Sequence, residues 1–278
     1  MLGVIGGTGL YKIDRFKVLK KQAVETPYGA PSAEIAIGEV EGKSVAFLPR
    51  HGENHERIPS EINFRANIWA LKSVGVRKIV SVSAVGSLRE EIRPGDLVLP
   101  EQYIDFTRGQ RAGTFFGEGI VAHVSTARPA CAILQRDIQG CSEEKIHRGK
   151  TYACVEGPRL GTRAESLFLR QAGCDVVGMT NIPEVFLARE AQLCYATIAI
   201  ATDYDCWLED PSQHATVDKV IELYGKNLGK VQALVAGLLS APAHAEACEC
   251  RRALEGALMT KESSLNEAQK KRLAFLRE

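Results

Sequence analysis

The chain has 278 residues, 45% of them hydrophobic and 25% charged, a balance that supports a buried core and argues against disorder. Lysine plus arginine number 35 against 34 aspartate plus glutamate, so no global field attracts nucleic acid or an anionic membrane, and any anion is bound locally. The start, MLGVIGGTGLY, lacks a basic region, a long apolar run and a cleavage site, and no later stretch is apolar enough to span a bilayer; a cytoplasmic protein is expected.

Short apolar runs alternate with helical patterns along the chain. Strands are expected at Leu2 to Ile5, Ala33 to Ile37, Ser44 to Leu48, Lys78 to Val82, Asp96 to Leu99, Thr151 to Val155, Asp175 to Val177 and Cys194 to Ile200. Ser60 reads as the cap of a helix with Ile62, Ala66, Trp69 and Ala70 on one face, ending near Gly75. A second helix runs from Arg163 to Ala172, and Pro183 suits the first turn of a third. A longer helix aligns Val217, Val220, Ile221, Tyr224, Leu228, Val231, Val235 and Leu238 on one stripe. This order predicts an α/β fold, a single domain over 1–240 with a mixed central β-sheet flanked by helices. The stretch SAPAHAEA at 240–247 is the one plausible linker to a tail, 241–278, in which Ser264 and Glu267 read as a capping box for a terminal amphipathic helix. That helix would pack on its own domain or on a neighbouring subunit.

The eight cysteines stand mostly in apolar stretches, where each reads as a small buried hydrophobe. Cys248-Glu249-Cys250 lacks the second pair that a zinc site needs, so no metal is expected, while disulfides stay open.

Chemistry-bearing residues gather at strand ends. The first strand runs into Gly6-Gly7-Thr8-Gly9, a turn that lets backbone N–H groups approach an anion; a dinucleotide fingerprint is opposed by Lys12, where the third glycine would stand. Arg50 and His51 follow another strand, a guanidinium fork and an imidazole fit for an anion, with His55 read as surface decoration. Ser83, Ala84 and Thr180 end two more. The strand from Cys194 delivers Asp203 and Asp205, which share a face in extended chain. Two carboxylates at the edge of an apolar core fit a metal, a shared proton or a ligand with two adjacent donors; alone, such a pair is more often a helix cap and a turn residue. Convergence of five strand ends favours one pocket.

The motifs IGGTGL (5–10), ETPYGAPS (25–32), RHG (50–52), NFRANIWALK (63–72), GSLREEIRPGD (86–96), EGPR (156–159), TRAES (162–166) and the segment 177–207 together resemble the trimeric purine nucleoside phosphorylases, and within them the methylthioadenosine-cleaving branch. The match runs to about Leu239. The resemblance implies attack of inorganic phosphate, a co-substrate, on C1′ of the nucleoside, with release of adenine and 5-methylthioribose 1-phosphate and with no metal or organic cofactor. It implies that Thr8, Arg50, His51, Ser83, Ala84 and Thr180 hold phosphate, that Met179 lies against the ribose, and that Asp203 and Asp205 bind N7 and the 6-amino group. Asp203 is then the catalytic acid, a role that needs a raised pKa.

Relatives that prefer 6-oxopurines resemble this chain but carry Glu at Gly161 and Asn at Asp203, so these two residues favour adenine. The branch usually places an aromatic and then Ser at Leu160 and Gly161, from which this chain departs. By the same resemblance Val217 and Val220 form an apolar pocket for the methylthio group, where without it they would read as helix core, and His123 is contributed across a subunit boundary of a homotrimer or dimer of trimers. The rival readings are a broader phosphorylase acting on adenosine or inosine, a catalytically silent nucleoside-binding protein, and a metal-dependent transferase using Asp203-Tyr204-Asp205.

Overall fold

The computed structural model describes residues 1–7, 16–210, 213–240 and 248–278. Its strands are β1 (Leu2–Gly6), β2 (Lys17–Gln22), β3 (Ile35–Val40), β4 (Lys43–Pro49), β5 (Lys78–Ser87), β6 (Leu97–Phe106), β7 (Ile146–Val155), β8 (Val176–Gly178) and β9 (Cys194–Asp203). Its helices are α1 (Phe64–Ser73), α2 (Ala132–Gly140), α3 (Arg163–Gln171), α4 (Asn181–Glu190), α5 (Val217–Ser240) and α6 (Glu267–Arg277). One mixed sheet runs β2-β3-β4-β1-β5-β8-β7-β6-β9, and β9 pairs back onto β5, so β5, β8, β7, β6 and β9 close into a ring. Among the described residues no helix is long and apolar enough to cross a membrane.

The neighbours β4, β1, β5 and β9 are all parallel, which brings their carboxyl ends to one edge: Gly6 pairs with Pro49 and Gly86 with Asp203. Strand β8 is antiparallel to β5, with Gly86 opposite Val177, so the chain leaving β8 heads back toward Ser83. Strands β1 and β9 are buried along their whole length, as parallel strands covered on both faces are, and that is why their near-continuous apolar runs were legible.

Several elements differ from expectation. Strand β5 does not stop at Val82 but continues to Ser87, so Ser83 and Ala84 lie inside it. Helix α1 is capped by Asn63, whose side chain accepts from the Ala66 N–H, while Ser60 sits in a short 3₁₀ turn. Helix α6 is capped by Asn266 with Gln269 rather than by Ser264 with Glu267. Strand β2 and helix α2 were not foreseen.

Two apolar layers sandwich the sheet. One joins α1 and α4 to Leu254, Leu265, Leu273 and Leu276 of the C-terminal segment. There Phe275 stacks on Trp69 at 3.9 Å, and Lys72 Nζ donates to the carbonyls of Ala191 and Leu276 at 2.6 and 2.8 Å. The other layer joins α2 and the second half of α5 to Cys131, Cys194, Cys248 and Cys250. The apolar stripe of α5 is not continuous core: Val231, Leu234 and Val235 are buried, whereas Val217 and Ile221 are 64% and 65% exposed at its start.

Candidate functional site

The residues expected to bind an anion come together at the edge where β1, β4, β5 and β8 end or turn, with Thr8 lying outside the described residues. Ser83 Oγ and Thr180 Oγ1 stand 3.5 Å apart, both buried, with the Tyr152 hydroxyl 3.4 Å from Ser83. That approach requires Gly178: a Cβ there would come within 2.0 Å of the Tyr152 oxygen. Half-buried Ala84 follows Ser83 along β5. Tyr224 of α5 lies against Gly7, its hydroxyl 3.6 Å from where a Cβ there would sit.

Arg50 reaches this edge but spends its fork inward. Nε and Nη2 donate to the two oxygens of Glu184 at 2.8 and 2.9 Å, Nη2 also to Ser81 Oγ at 2.6 Å, and Nη1 to the Val82 carbonyl at 3.0 Å. Burial works against the guanidinium charge, yet the Glu184 carboxylate overrides it and raises the Arg50 pKa. Nη1 keeps a second hydrogen to offer. His51 Nδ1 lies 2.8 Å from the Arg57 carbonyl, an oxygen that can only accept, so Nδ1 carries the hydrogen. Burial lowers the His51 pKa to about 4, which keeps the ring neutral and makes Nε2 an acceptor. The expectation that His51 donates to an anion is therefore corrected: its donor is used locally, and Nε2 suits a protonated phosphate oxygen.

The carboxylates stand at the end of β9. Asp203 is buried, its Oδ2 accepting from Thr202 Oγ1 and its Oδ1 from the Asp205 N–H, each at 2.7 Å. Asp205 is also buried and sits at φ 52°, a left-handed turn that folds it back toward its neighbour. Burial raises both pKa values; the bonds from Thr202 and the Asp205 N–H oppose this at Asp203, as does the Cys206 backbone at Asp205. Gly86 makes room for the pair, since a Cβ there would lie 3.1 Å from both Asp203 Oδ1 and Asp205 Cβ. Gly161 borders Asp205 as well, an added Cβ falling 3.9 Å from Oδ1, while Leu160 points outward at 42% exposure. The bland reading of Asp203 as a helix cap fails, because no described helix begins after it until Val217.

Gly86 lies three residues beyond Ser83 along β5, which is roughly 10 Å of strand. Hydroxyls and carboxylates thus form the two ends of one edge. Met179, half-buried between them, has its carbonyl held by Arg111 Nη1 at 2.7 Å and its sulfur packed against Gly157, where a Cβ would come within 2.5 Å. Val217 and half-buried Val220 open α5, not in the core layer. His123 is exposed on a segment that pairs with the C-terminal residues, its N–H bonded to the Ala257 carbonyl. Among the described residues it makes no hydrogen bond to the strand-end set.

Sequence reasoning missed Glu184, Tyr195, Asn181 and Arg111. Glu184 Oε1 accepts from Arg50, Ser81 and Tyr195, and Asn181 bridges Ser81 and Tyr195, so one buried network underlies the hydroxyl pair. Arg111 clamps Glu156 to the Met179 and Ile182 carbonyls. The available signal was a Glu one turn into α4, which a soluble helix normally exposes. A further correction concerns the tail cysteines: Cys131 and Cys194 supply the second pair that Cys248 and Cys250 lacked in sequence, all four Sγ lying within 4.8 Å of one another.

The sequence pattern of the phosphorylase superfamily matches residues 1–239. The S-methyl-5'-thioadenosine phosphorylase of Geobacter sulfurreducens is 46% identical over 279 residues, covering 99% of this chain and 97% of the relative. That of Hyperthermus butylicus is 49% identical, covering 93% and 95%. Among solved structures, a methylthioadenosine phosphorylase from an antarctic soil metagenomic library superposes with a TM-score of 0.89 at 44% identity, covering 99% of this chain and 98% of that one. The Schistosoma mansoni methylthioadenosine phosphorylase in complex with adenine gives 0.85 at 34% identity, covering 93% and 98%. The similarity therefore extends past residue 239 into the segment where the sequence motifs had run out.

Proposed function

The chain belongs to the phosphorylase superfamily, and from that premise we propose that it cleaves S-methyl-5'-thioadenosine with inorganic phosphate, giving adenine and 5-methylthioribose 1-phosphate. The observation that carries the reading is the buried Asp203 and Asp205 pair, both with raised pKa, on the same sheet edge as the Ser83 and Thr180 hydroxyls.

Phosphate sits against Ser83, Ala84 and Thr180, with His51 Nε2 accepting from its hydroxyl and Arg50 Nη1 offering one hydrogen; Thr8 completes the set by resemblance. A phosphate oxygen attacks C1′ as the C1′–N9 bond breaks, through an oxocarbenium-like state that the anion beneath the sugar stabilises. The bonding pair moves into the purine, and Asp203, its carboxyl favoured by burial, gives N7 a proton. Asp205 accepts from the 6-amino group, and Gly161 leaves that edge open. Met179 lies against the ribose. No step calls for a metal or an organic cofactor.

Val217 and Val220 face the 5′ end in this reading, where an apolar surface suits a thioether. Assembly as a homotrimer or dimer of trimers would place His123 at the 5′ end of a neighbour's site and cover Val217 and Ile221.

The test is a phosphate-dependent product assay on methylthioadenosine, adenosine and inosine side by side, with chelator present. Fastest adenine release from methylthioadenosine supports the reading. Preference for inosine would mean that the carboxylates select a different base, loss of activity with chelator at an unchanged melting temperature would favour a metal-dependent transferase, and no turnover would favour a binding protein.

A further inference from the structure

We propose that Cys131, Cys194, Cys248 and Cys250 form a tetrahedral zinc site that fastens the C-terminal segment to the sheet, at the end of β9 remote from the carboxylates. The four sulfurs come from three segments far apart in sequence: the N-cap of α2, the first residue of β9, and the Cys-x-Cys that follows residue 247. All four are buried, and their Sγ atoms lie within 4.8 Å of one another. Zinc–sulfur bonds of about 2.3 Å in a tetrahedron put ligand sulfurs about 3.8 Å apart, so closure needs small side-chain movements only. Cys131 and Cys248 Sγ are already 3.5 Å apart, close to that spacing.

The donor set selects the ion. Four soft thiolates in a tetrahedral array suit zinc, whereas magnesium, calcium and manganese prefer oxygen. The surroundings suit thiolates better than packed thiols. Arg189, itself buried, donates from Nη1 to Cys250 Sγ at 3.2 Å, and the Leu134 N–H donates to Cys131 Sγ at 3.4 Å. Donors aimed at the sulfurs offset the negative charge that a zinc tetrathiolate carries and orient its ligands. Binding releases the four thiol protons, and because three segments converge only in the folded chain, the binding free energy adds to folding. Asp203 lies nine residues beyond Cys194 along β9, about 30 Å of strand, so the site is structural and takes no part in the reaction at the other end.

The experiment is elemental analysis of the full chain purified with zinc in the growth medium, beside intact-mass analysis of protein alkylated at lysis before any reductant. The expected result is about one zinc per chain, released by a mercurial into a colorimetric chelator, with cobalt replacement giving the visible bands of a tetrahedral thiolate complex. Cys250→Ser and Cys248→Ser should lose most of the metal, whereas Cys141→Ser, outside the cluster, should keep it. If the serine variants fail to fold, the zinc content and cobalt spectrum of the unaltered chain still decide. Zinc below about a tenth of an equivalent, iron in its place, or masses showing two disulfides among these cysteines would each overturn the proposal.

Discussion

Replacing Asp203 by asparagine separates chemistry from folding. The Asp203 oxygens accept from Thr202 Oγ1 and from the Asp205 N–H. An amide keeps its oxygen for the Asp205 N–H, and the Thr202 hydroxyl can rotate to accept from the amide nitrogen, so the fold should lose about 1 kcal/mol or less. Burial already disfavours the carboxylate, and a neutral amide removes that cost. What the amide cannot do is give a proton to N7. General acid catalysis contributes roughly 100-fold to 10,000-fold, or about 2.7 to 5.5 kcal/mol of transition-state stabilisation. Initial rates of adenine release, with methylthioadenosine and phosphate varied independently, should show that loss in kcat with the phosphate KM nearly unchanged and the melting temperature preserved. A variant that keeps near-parental kcat on methylthioadenosine would remove Asp203 as the acid.

Glu184→Ala leaves the Arg50 guanidinium buried without its carboxylate and should cost about 3 to 5 kcal/mol in urea unfolding; a change under about 1 kcal/mol would show that the pair is easily solvated. Gly86→Ala puts a Cβ 3.1 Å from Asp203 Oδ1 and Asp205 Cβ, so nucleoside KM should rise while phosphate KM holds; equal rises in both would mean a general disturbance of the sheet. Val217→His should raise adenosine turnover relative to methylthioadenosine by roughly 10-fold or more, as a new polar partner for the 5′-hydroxyl; an unchanged ratio would take Val217 out of the 5′ pocket. The His51 pKa is lowered from 6.5 to about 4, so between those values the unfolded chain binds the extra proton. Its contribution is therefore neutral above pH 6.5 and destabilising as pH falls toward 4. His51→Gln should flatten part of that acid limb in a melting series, and an identical limb would assign it to other groups.

The elements legible in the sequence were those whose burial leaves a repetitive signature. Strands β1, β4 and β9 showed as apolar runs and α3 as a helical stretch from Arg163, while the capping box in which Thr162 and Glu165 satisfy each other emerged only in the structure. Strand β2 was invisible because its KVLKKQ is exposed at the sheet edge, where lysines discourage further pairing and no apolar face is required. The far half of β5 was lost because Ser83 and Gly86 are small and polar for reasons of close approach. Strand-end residues were legible as a set, since parallel order alone brings carboxyl ends together. Their partners were not: nothing local says that Glu184 is buried under Arg50, that the Arg57 carbonyl fixes the tautomer of His51, or that four cysteines from three segments converge.

The inward commitment of Arg50 changes how the phosphate end must work. Among the described residues the set comprises a guanidinium compensated by Glu184, a neutral imidazole, two hydroxyls and backbone groups. In the proposed reading such a site would hold phosphate by short-range hydrogen bonds rather than by net positive charge. That costs little affinity if the hydroxyls are already aligned, as the Ser83, Thr180 and Tyr152 contacts align them. It also leaves the phosphate charge largely unneutralised. As the C1′–N9 bond stretches, positive charge grows on the sugar directly above that anion, in a low-dielectric setting where the attraction is strong. A fully exposed arginine would bind phosphate more tightly in the ground state and blunt this interaction in the transition state. In the proposed reaction Glu184 would thus act through Arg50 without touching substrate. The same arrangement should make phosphate KM weakly dependent on ionic strength, because among the described residues the one guanidinium at this end is compensated by Glu184.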